Sequence, residues 1–93
     1  MNIDKLVSKY IDSAKHVLET VEVTQTSVTV DVAAVNRVVD YAKNYLNDAE
    51  YYREKEKLGV SLTSVAYCEG LMDALRLLGA VKFEWPVTGK HTR

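Results

Sequence analysis

Apolar residues recur at steps of three and four in three separate stretches of the chain. This spacing places them along one side of an α-helix, which completes a turn in about 3.6 residues. The pattern predicts helices over about residues 3–22, 32–57 and 61–79, joined by short connections. A non-helical tail over residues 80–93 follows, because Pro86 lacks the amide hydrogen that a helix needs.

The first stretch divides cleanly into an apolar and a polar side. Its charged residues fall off the apolar stripe, which is typical of an amphipathic helix. Asn2 or Asp4 is placed to cap its start by accepting a hydrogen bond from a free backbone amide. The stripe consists of Ile3, Leu6, Val7, Tyr10, Ile11, Ala14, Val17, Leu18 and Val21.

Residues 22–31 interrupt the helical pattern and are rich in valine and threonine. These β-branched side chains lose freedom in a helix and favour extended backbone. A loop is the preferred interpretation, because the chain offers no second convincing strand with which a strand here would pair. A short strand over residues 23–30 is the open alternative.

Polar residues and glycines mark the ends of the second and third helices. Asp31 and Ser61 are suited to cap their starts, and Gly59 and Gly79 to follow their ends. Gly70 lies inside the third helix, where glycine is unfavourable relative to alanine. We therefore expect a close helix approach on the side of Gly70.

Three amphipathic helices with short connections pack most simply as antiparallel neighbours, because each has one apolar stripe to bury. The sequence therefore predicts an all-α fold, a three-helix up-down-up bundle that forms one domain over residues 1–93. Phe83 and Trp85 are large enough to dock the beginning of the tail on this bundle.

Composition excludes several classes of protein. Apolar residues make up 47% of the chain and the formal net charge is −1, so the chain is expected to fold and has no basic field for nucleic acid. No apolar run is long enough to span a membrane, which favours a soluble, cytoplasmic protein. The single cysteine, Cys68, cannot form an internal disulfide and lies on an apolar stripe, where it is expected in the core.

Charged residues on the third helix form the first candidate site. Glu69, Asp73 and Arg76 are spaced by four and three residues and share one side of the helix. Paired carboxylates are suited to acid and base chemistry or to binding a hard metal ion. A solvated surface with a local pair between Asp73 and Arg76 is the preferred interpretation.

Tyrosines on the second helix form the second candidate. A tyrosine offers an apolar ring and a polar hydroxyl, so such a cluster suits a ligand pocket or a protein interface, although packing at the edge of the core is more common. The cluster consists of Tyr41, Tyr45, Asp48, Tyr51, Tyr52 and, on the third helix, Tyr67.

Motifs for metals, nucleotides and cofactors do not occur in the sequence. His16 and His91 are isolated, and there is neither an HExxH nor an ExxH motif. The glycines are too scattered to form a phosphate-binding loop. No cofactor and no metal are therefore expected, and an enzyme is less expected than a non-catalytic protein.

Two short motifs in residues 48–79 carry a resemblance to a known family. The first reads Asp48, Ala49, Tyr51, Tyr52, and the second reads Tyr67, Cys68, Gly70, Leu71, Met72, Asp73, Ala74. This stretch resembles an uncharacterised archaeal family of short helical-bundle proteins, domain of unknown function 357. Cys68 departs from the alanine usual in the family, which is a mild change between small residues.

The resemblance implies a three-helix bundle in an archaeal cytoplasm and implies no activity. Similar members occur joined to nucleotidyltransferase-like domains, which suggests an accessory or regulatory module. The family pattern shares Asp48, Tyr51, Tyr67 and Asp73 with the candidate sites.

Three functional hypotheses follow. The leading one is a non-enzymatic protein-interaction module that self-associates as a dimer, through the tyrosines of the second helix and through Phe83 and Trp85. The rival is a small-molecule, metal-binding or catalytic site between the second and third helices, built on two aspartates and two tyrosines. A nucleic-acid accessory role using the lysines of the first helix is disfavoured by the interspersed acids. The residues of the rival site are Asp48, Tyr52, Tyr67 and Asp73.

Overall fold

A computed structural model describes residues 2–23 and 27–86 of the chain. These residues form three helices, α1 (Ile3–Thr20), α2 (Val32–Glu54) and α3 (Leu58–Leu77). No strand occurs in this part of the chain, so the predicted all-α class is confirmed. Each helix ends two or three residues before its predicted end, and α3 begins three residues earlier than predicted.

The connector between α1 and α2 is neither helix nor strand over its described residues, 21–23 and 27–31. This agrees with the loop interpretation over those residues, while residues 24–26 lie outside the described chain. The tail is non-helical over residues 81–86 as predicted, and residues 87–93 lie outside the described chain.

Side chains cap the first two helices as the sequence predicts. Asn2, rather than Asp4, caps α1: its Oδ1 accepts a hydrogen bond from the Lys5 amide at 3.2 Å. Asp31 caps α2, and its Oδ1 accepts from the Ala34 amide at 2.8 Å. Each bond satisfies one backbone donor that the first turn of a helix leaves without a partner.

The end of α2 differs from its prediction. Glu56, not Gly59, takes the left-handed conformation, with φ of 59°. The Glu56 amide donates to the Arg53 carbonyl at 3.0 Å, and the Lys57 amide donates to the Tyr52 carbonyl at 2.9 Å. These two bonds form a Schellman motif, which reverses the chain before Gly59 is reached and leaves that glycine inside α3.

The start of α3 also differs from its prediction. Ser61 does not cap the helix, which begins at Leu58 after Lys57 and has no side-chain cap. The Ser61 hydroxyl instead donates to the Ala49 carbonyl of α2 at 2.7 Å. This half-buried bond ties the two helices together beside their turn.

Gly79 ends α3 as predicted. Its φ of 77° is readily adopted by glycine, which has no Cβ to clash in this region. The Gly79 amide donates to the Arg76 carbonyl at 3.0 Å and the Ala80 amide donates to the Leu75 carbonyl at 2.9 Å, which completes a second Schellman motif.

The core lies between α2 and α3, which form an antiparallel hairpin. The buried side chains of the described chain are Ala42 and Ala49 from α2 and Leu75 from α3. Alanines seven residues apart lie on one face of α2, and both are buried in the hairpin. The predicted close approach at Gly70 is wrong, because no atom beyond its chain neighbours and its own helix backbone lies within 4 Å of where its Cβ would be.

Helix α1 lies apart from this hairpin. None of its Cα atoms comes within 8 Å of a Cα atom of α2 or α3, both of which are fully described. Its N-terminal half lies beside the start of α3, which suits the up-down-up order, and a groove of 660 Å³ separates the two. The three helices are consistent with the predicted bundle, but the apolar stripe of α1 does not pack on the hairpin, so the expectation of one core closed by all three stripes is wrong for α1.

The dimensions of the molecule reflect this open arrangement. Its radius of gyration is 15.9 Å, against about 12 Å expected for a compact chain of this length. Its accessible surface is 8357 Å², against about 5,400 Å² for a typical globular monomer of this mass. The chain therefore exposes much more surface than a closed bundle would.

Candidate functional site

The charged stripe of α3, formed by Glu69, Asp73 and Arg76, contacts the tail. Asp73 Oδ1 accepts a hydrogen bond from Arg76 Nη2 at 3.3 Å, which is the local pair expected from the sequence. The same oxygen accepts from Trp85 Nε1 at 2.6 Å. Glu69 lies one turn before Asp73 and is half-buried. The stripe therefore binds the chain's own tail in addition to facing solvent.

Aromatic and cationic groups complete this attachment. The rings of Phe83 and Trp85 pack edge to face, with centroids 5.0 Å apart. The Arg76 guanidinium lies 5.4 Å from the centre of the Phe83 ring, within the range of a cation–π contact. The predicted docking of the tail is confirmed, and both aromatic side chains are half-buried against their own chain.

The tyrosine cluster separates into two pairs. Tyr45 of α2 and Tyr67 of α3 stack with ring centroids 4.5 Å apart and an interplanar angle of 28°. Tyr51 and Tyr52 pack edge to face at 5.2 Å, and the Lys55 ammonium lies 5.5 Å from the Tyr51 ring. Four of the tyrosines therefore form two separate ring pairs, and Tyr41 is 60% exposed.

The four residues of the rival site differ in exposure and in the contacts they make. Asp48 is exposed, while Asp73 is half-buried and contacts Arg76 and Trp85. Tyr52 and Tyr67 belong to different ring pairs. Within residues 2–23 and 27–86, no three His, Cys, Asp or Glu side chains stand close enough to hold a metal ion. A site between α2 and α3 stays a prediction, and a thermal-shift screen with divalent ions and sugar phosphates tests it.

Cys68 is half-buried on α3, more exposed than the core position predicted for it. Burial raises the pKa of its thiol, and the negative charge of Glu69 raises this pKa further. The thiolate is the nucleophilic form of cysteine, so a raised pKa makes Cys68 a poor nucleophile at neutral pH.

The apolar stripe of α1, which the sequence predicts in the core, is exposed in the structure. Of its members only Leu6 is half-buried, and the others are exposed, with Ile3 at 64% and Leu18 at 75%. We call this surface the α1 face. It comprises Ile3, Leu6, Val7, Tyr10, Ile11, Ala14, Val17, Leu18 and the C-cap residue Val21.

The groove beside α1 extends this apolar surface. Its α1 wall is the N-terminal half of the α1 face, from Ile3 to Ile11. Its opposite wall belongs to the turn and to the start of α3, with Lys57, Gly59, Val60 and Thr63. Val60 is 47% exposed, so the floor of the groove is accessible and apolar. An arrangement of this kind suits an apolar helix more than a polar small molecule.

Across the described ranges, every helix falls short of the length and apolar character needed to cross a bilayer. The α1 face also covers only one side of its helix, since the charged residues of α1 occupy the other side.

Comparisons with known proteins place the chain in a family. The sequence model of a family described as protein of unknown function (DUF357) matches residues 9–81, from within α1 to the beginning of the tail. No curated protein and no solved structure matches. The match extends beyond the motifs of residues 48–79 and includes the C-terminal half of α1. Since it covers most of the molecule, the chain belongs to the DUF357 family.

Proposed function

We propose that this protein is a non-enzymatic helical interaction module that self-associates. The observation that carries the proposal is the exposure of the α1 face, which is not packed on the α2–α3 hairpin. Contiguous apolar patches of this kind on a soluble protein are typical of protein interfaces. The contact surface we propose is therefore α1 and its groove, in place of the tail, whose aromatic side chains contact α3.

The arrangement of charge supports a protein partner. Acidic and basic residues alternate on the polar side of α1, where Lys5, Lys9 and Lys15 are accompanied by Asp12 and Glu19. Such a surface has no field that would concentrate nucleic acid, so we propose no nucleic-acid partner. A gel-shift assay at low salt is expected to show no retardation of DNA or RNA.

The family resemblance adds an accessory role in an archaeal cytoplasm to this proposal. A helical module with an exposed apolar face is suited to bring other domains together, because this role needs no catalytic group. The function of such a module would be to hold its partners together.

Light scattering coupled to size exclusion over a dilution series tests self-association. We expect the mean mass to exceed 10.5 kDa at high concentration and to fall toward that value on dilution. Val17→Lys is expected to reduce association, because it places an ammonium group in the apolar face. His16→Lys is the matched control, since it adds the same side chain at the next position, on the polar side of α1.

Circular dichroism checks that both variants keep their helices, which we expect because α1 does not pack on the hairpin. A mass of one chain at every concentration would refute self-association. Equal loss of association in both variants would show that charge, rather than the apolar face, controls it.

A further inference from the structure

The α1 face has a repeat that matches an antiparallel pairing of two identical helices. Six of its members alternate at steps of four and three, the spacing of the two seam positions in a coiled coil. We infer that the occupant of the α1 face is a second copy of this chain, whose α1 lies antiparallel along it. This inference rests on the proposed self-association and specifies its geometry. The six seam residues are Ile3, Val7, Tyr10, Ala14, Val17 and Val21.

The register follows from the positions of these six residues. In an antiparallel pair centred level with Asp12, Ile3 faces Val21 of the second copy and Val7 faces Val17. Tyr10 then faces Ala14 of the second copy, so the largest seam residue meets the smallest on both sides of the two-fold axis. A parallel pair would instead place Tyr10 against Tyr10 and Ala14 against Ala14, which crowds one layer and leaves space in the next.

The groove beside α1 provides room for the second helix. Antiparallel pairing brings the C-terminal half of the second copy's α1 against the N-terminal half of the first, where the groove of 660 Å³ lies. Val17 and Leu18, which are 57% and 75% exposed, belong to the half that would enter it. The two-fold axis makes the same contact occur twice.

Charges at the border of the α1 face are compatible with this pairing. The six seam residues and Leu6, Ile11 and Leu18 beside them carry no charge, so no ion is buried between the helices. Asp4 and Lys15 lie on the same border of the face, near opposite ends of α1. In the register centred on Asp12, Asp4 lies level with Thr20 of the second copy, and Lys15 of that copy is offset from Asp4 by about 7.5 Å along the axis, so the pairing does not depend on an ion pair between them.

The buried area indicates a reversible dimer. Seven large members of the α1 face are each between 49% and 75% exposed. With about 60–120 Å² for an aliphatic side chain and about 150–250 Å² for an aromatic one, their burial together with Val60 covers roughly 500 Å² on each copy. The total of about 1,000 Å² lies at the lower limit for a specific interface.

Cysteine cross-linking tests the register directly. The variants V7C and V17C are made separately in a Cys68→Ala background, so that no native thiol competes. One is labelled with ¹⁵N, and the two are oxidised alone and mixed, with products assigned by mass. A disulfide requires Cα atoms within about 7 Å, whereas two copies of residue 7 in the antiparallel register are offset by about 15 Å along the axis.

We expect the cross-linked heterodimer of V7C with V17C to be the main product of the mixture, and each variant alone to remain uncross-linked. The matched control is Asp12→Cys, which lies level with the proposed two-fold axis but on the opposite side of α1 and should not cross-link to itself. Circular dichroism confirms that each variant is helical.

Three outcomes would overturn the inference. Cross-linking of V7C with itself would indicate a parallel pair. Dimers by light scattering without the V7C–V17C product would place the interface elsewhere, for instance with α1 seated on the other copy's hairpin, while self-association itself would stand. Monomers at every concentration would refute both the pairing and the proposed function, and would indicate that α1 folds back on its own hairpin in solution.

Discussion

Glu56 occupies the position in the α2–α3 turn that most favours glycine, and its replacement by glycine is expected to stabilise the protein. Its φ of 59° lies in the left-handed region, where the Cβ of a side chain approaches the following carbonyl oxygen. The side chain is exposed, so its removal loses little packing. Glu56→Gly removes the steric cost and leaves the two Schellman hydrogen bonds in place.

The expected gain is a difference between two opposing terms. The left-handed conformation costs a residue with a side chain about 1–2 kcal/mol. Glycine also makes the unfolded chain more flexible, which lowers the free energy of unfolding by about 0.5–1 kcal/mol and offsets part of this gain. The free energy of unfolding should therefore rise by about 0.5–1 kcal/mol, which corresponds to an increase of about 2–8 °C in the melting temperature of a domain of this size.

Thermal unfolding followed by circular dichroism measures this shift, at one fixed protein concentration because self-association alters the melting temperature. Glu50→Gly is the matched control: Glu50 is exposed within α2, and glycine there is expected to destabilise by about 1 kcal/mol. Glu56→Ala tests the side chain alone and should change little. A melting temperature for Glu56→Gly at or below that of the wild type would refute the reasoning.

Three further predictions concern α3 and the tail. Gly70→Ala should raise the free energy of unfolding by up to about 1 kcal/mol in chemical denaturation, because alanine favours helix and no atom beyond its chain neighbours and its own helix backbone lies within 4 Å of the new Cβ; a loss of stability would mean that another helix does approach there. Trp85→Phe keeps an aromatic ring but removes the donor to Asp73, and should accelerate amide exchange in residues 81–85 while α2 is unaffected. Cys68 should react with iodoacetamide more slowly than free cysteine at pH 7.5, and its rate should keep rising at higher pH, because the pKa of its thiol is raised; a rate that is already constant at neutral pH would contradict this.

Periodicity predicted the three helices because apolar spacing depends on helix geometry alone. The caps at Asn2 and Asp31 and the stop at Gly79 were likewise predictable, since each depends on a residue type placed next to the helix it serves. These features are local, and one sequence contains all the information they require.

The predictions that were wrong concern residue types that can take more than one structural role. Ser61 has the right side chain for a helix cap, but its hydroxyl donates to Ala49 across the hairpin. Gly59 resembled a helix stop, although three residues earlier Glu56 accepts the left-handed conformation because the turn needs it there. Gly70 predicted a buried contact between helices, whereas the small residues buried in the hairpin are Ala42 and Ala49 on α2.

The role of the α1 face could not be predicted from periodicity. An amphipathic stripe indicates that a helix has one side to bury, but it does not indicate whether the same chain or another chain covers it. The tyrosines and the carboxylates are candidate site residues in the sequence because their side chains have distinctive chemistry. Apart from Tyr10, the α1 face is built from ordinary aliphatic side chains, so only its exposure in the structure marks it as a candidate site.

Trp85, whose indole donates a hydrogen bond to Asp73, can serve as a fluorescent probe of the tail. Trp85 is the single tryptophan of the chain, so selectively excited indole emission reports from one place only. Release of the tail would move this indole from a half-buried site to water and shift its emission to the red. Detachment of the tail and melting of the helices can therefore be followed as separate events, by fluorescence and by circular dichroism, in the unlabelled protein.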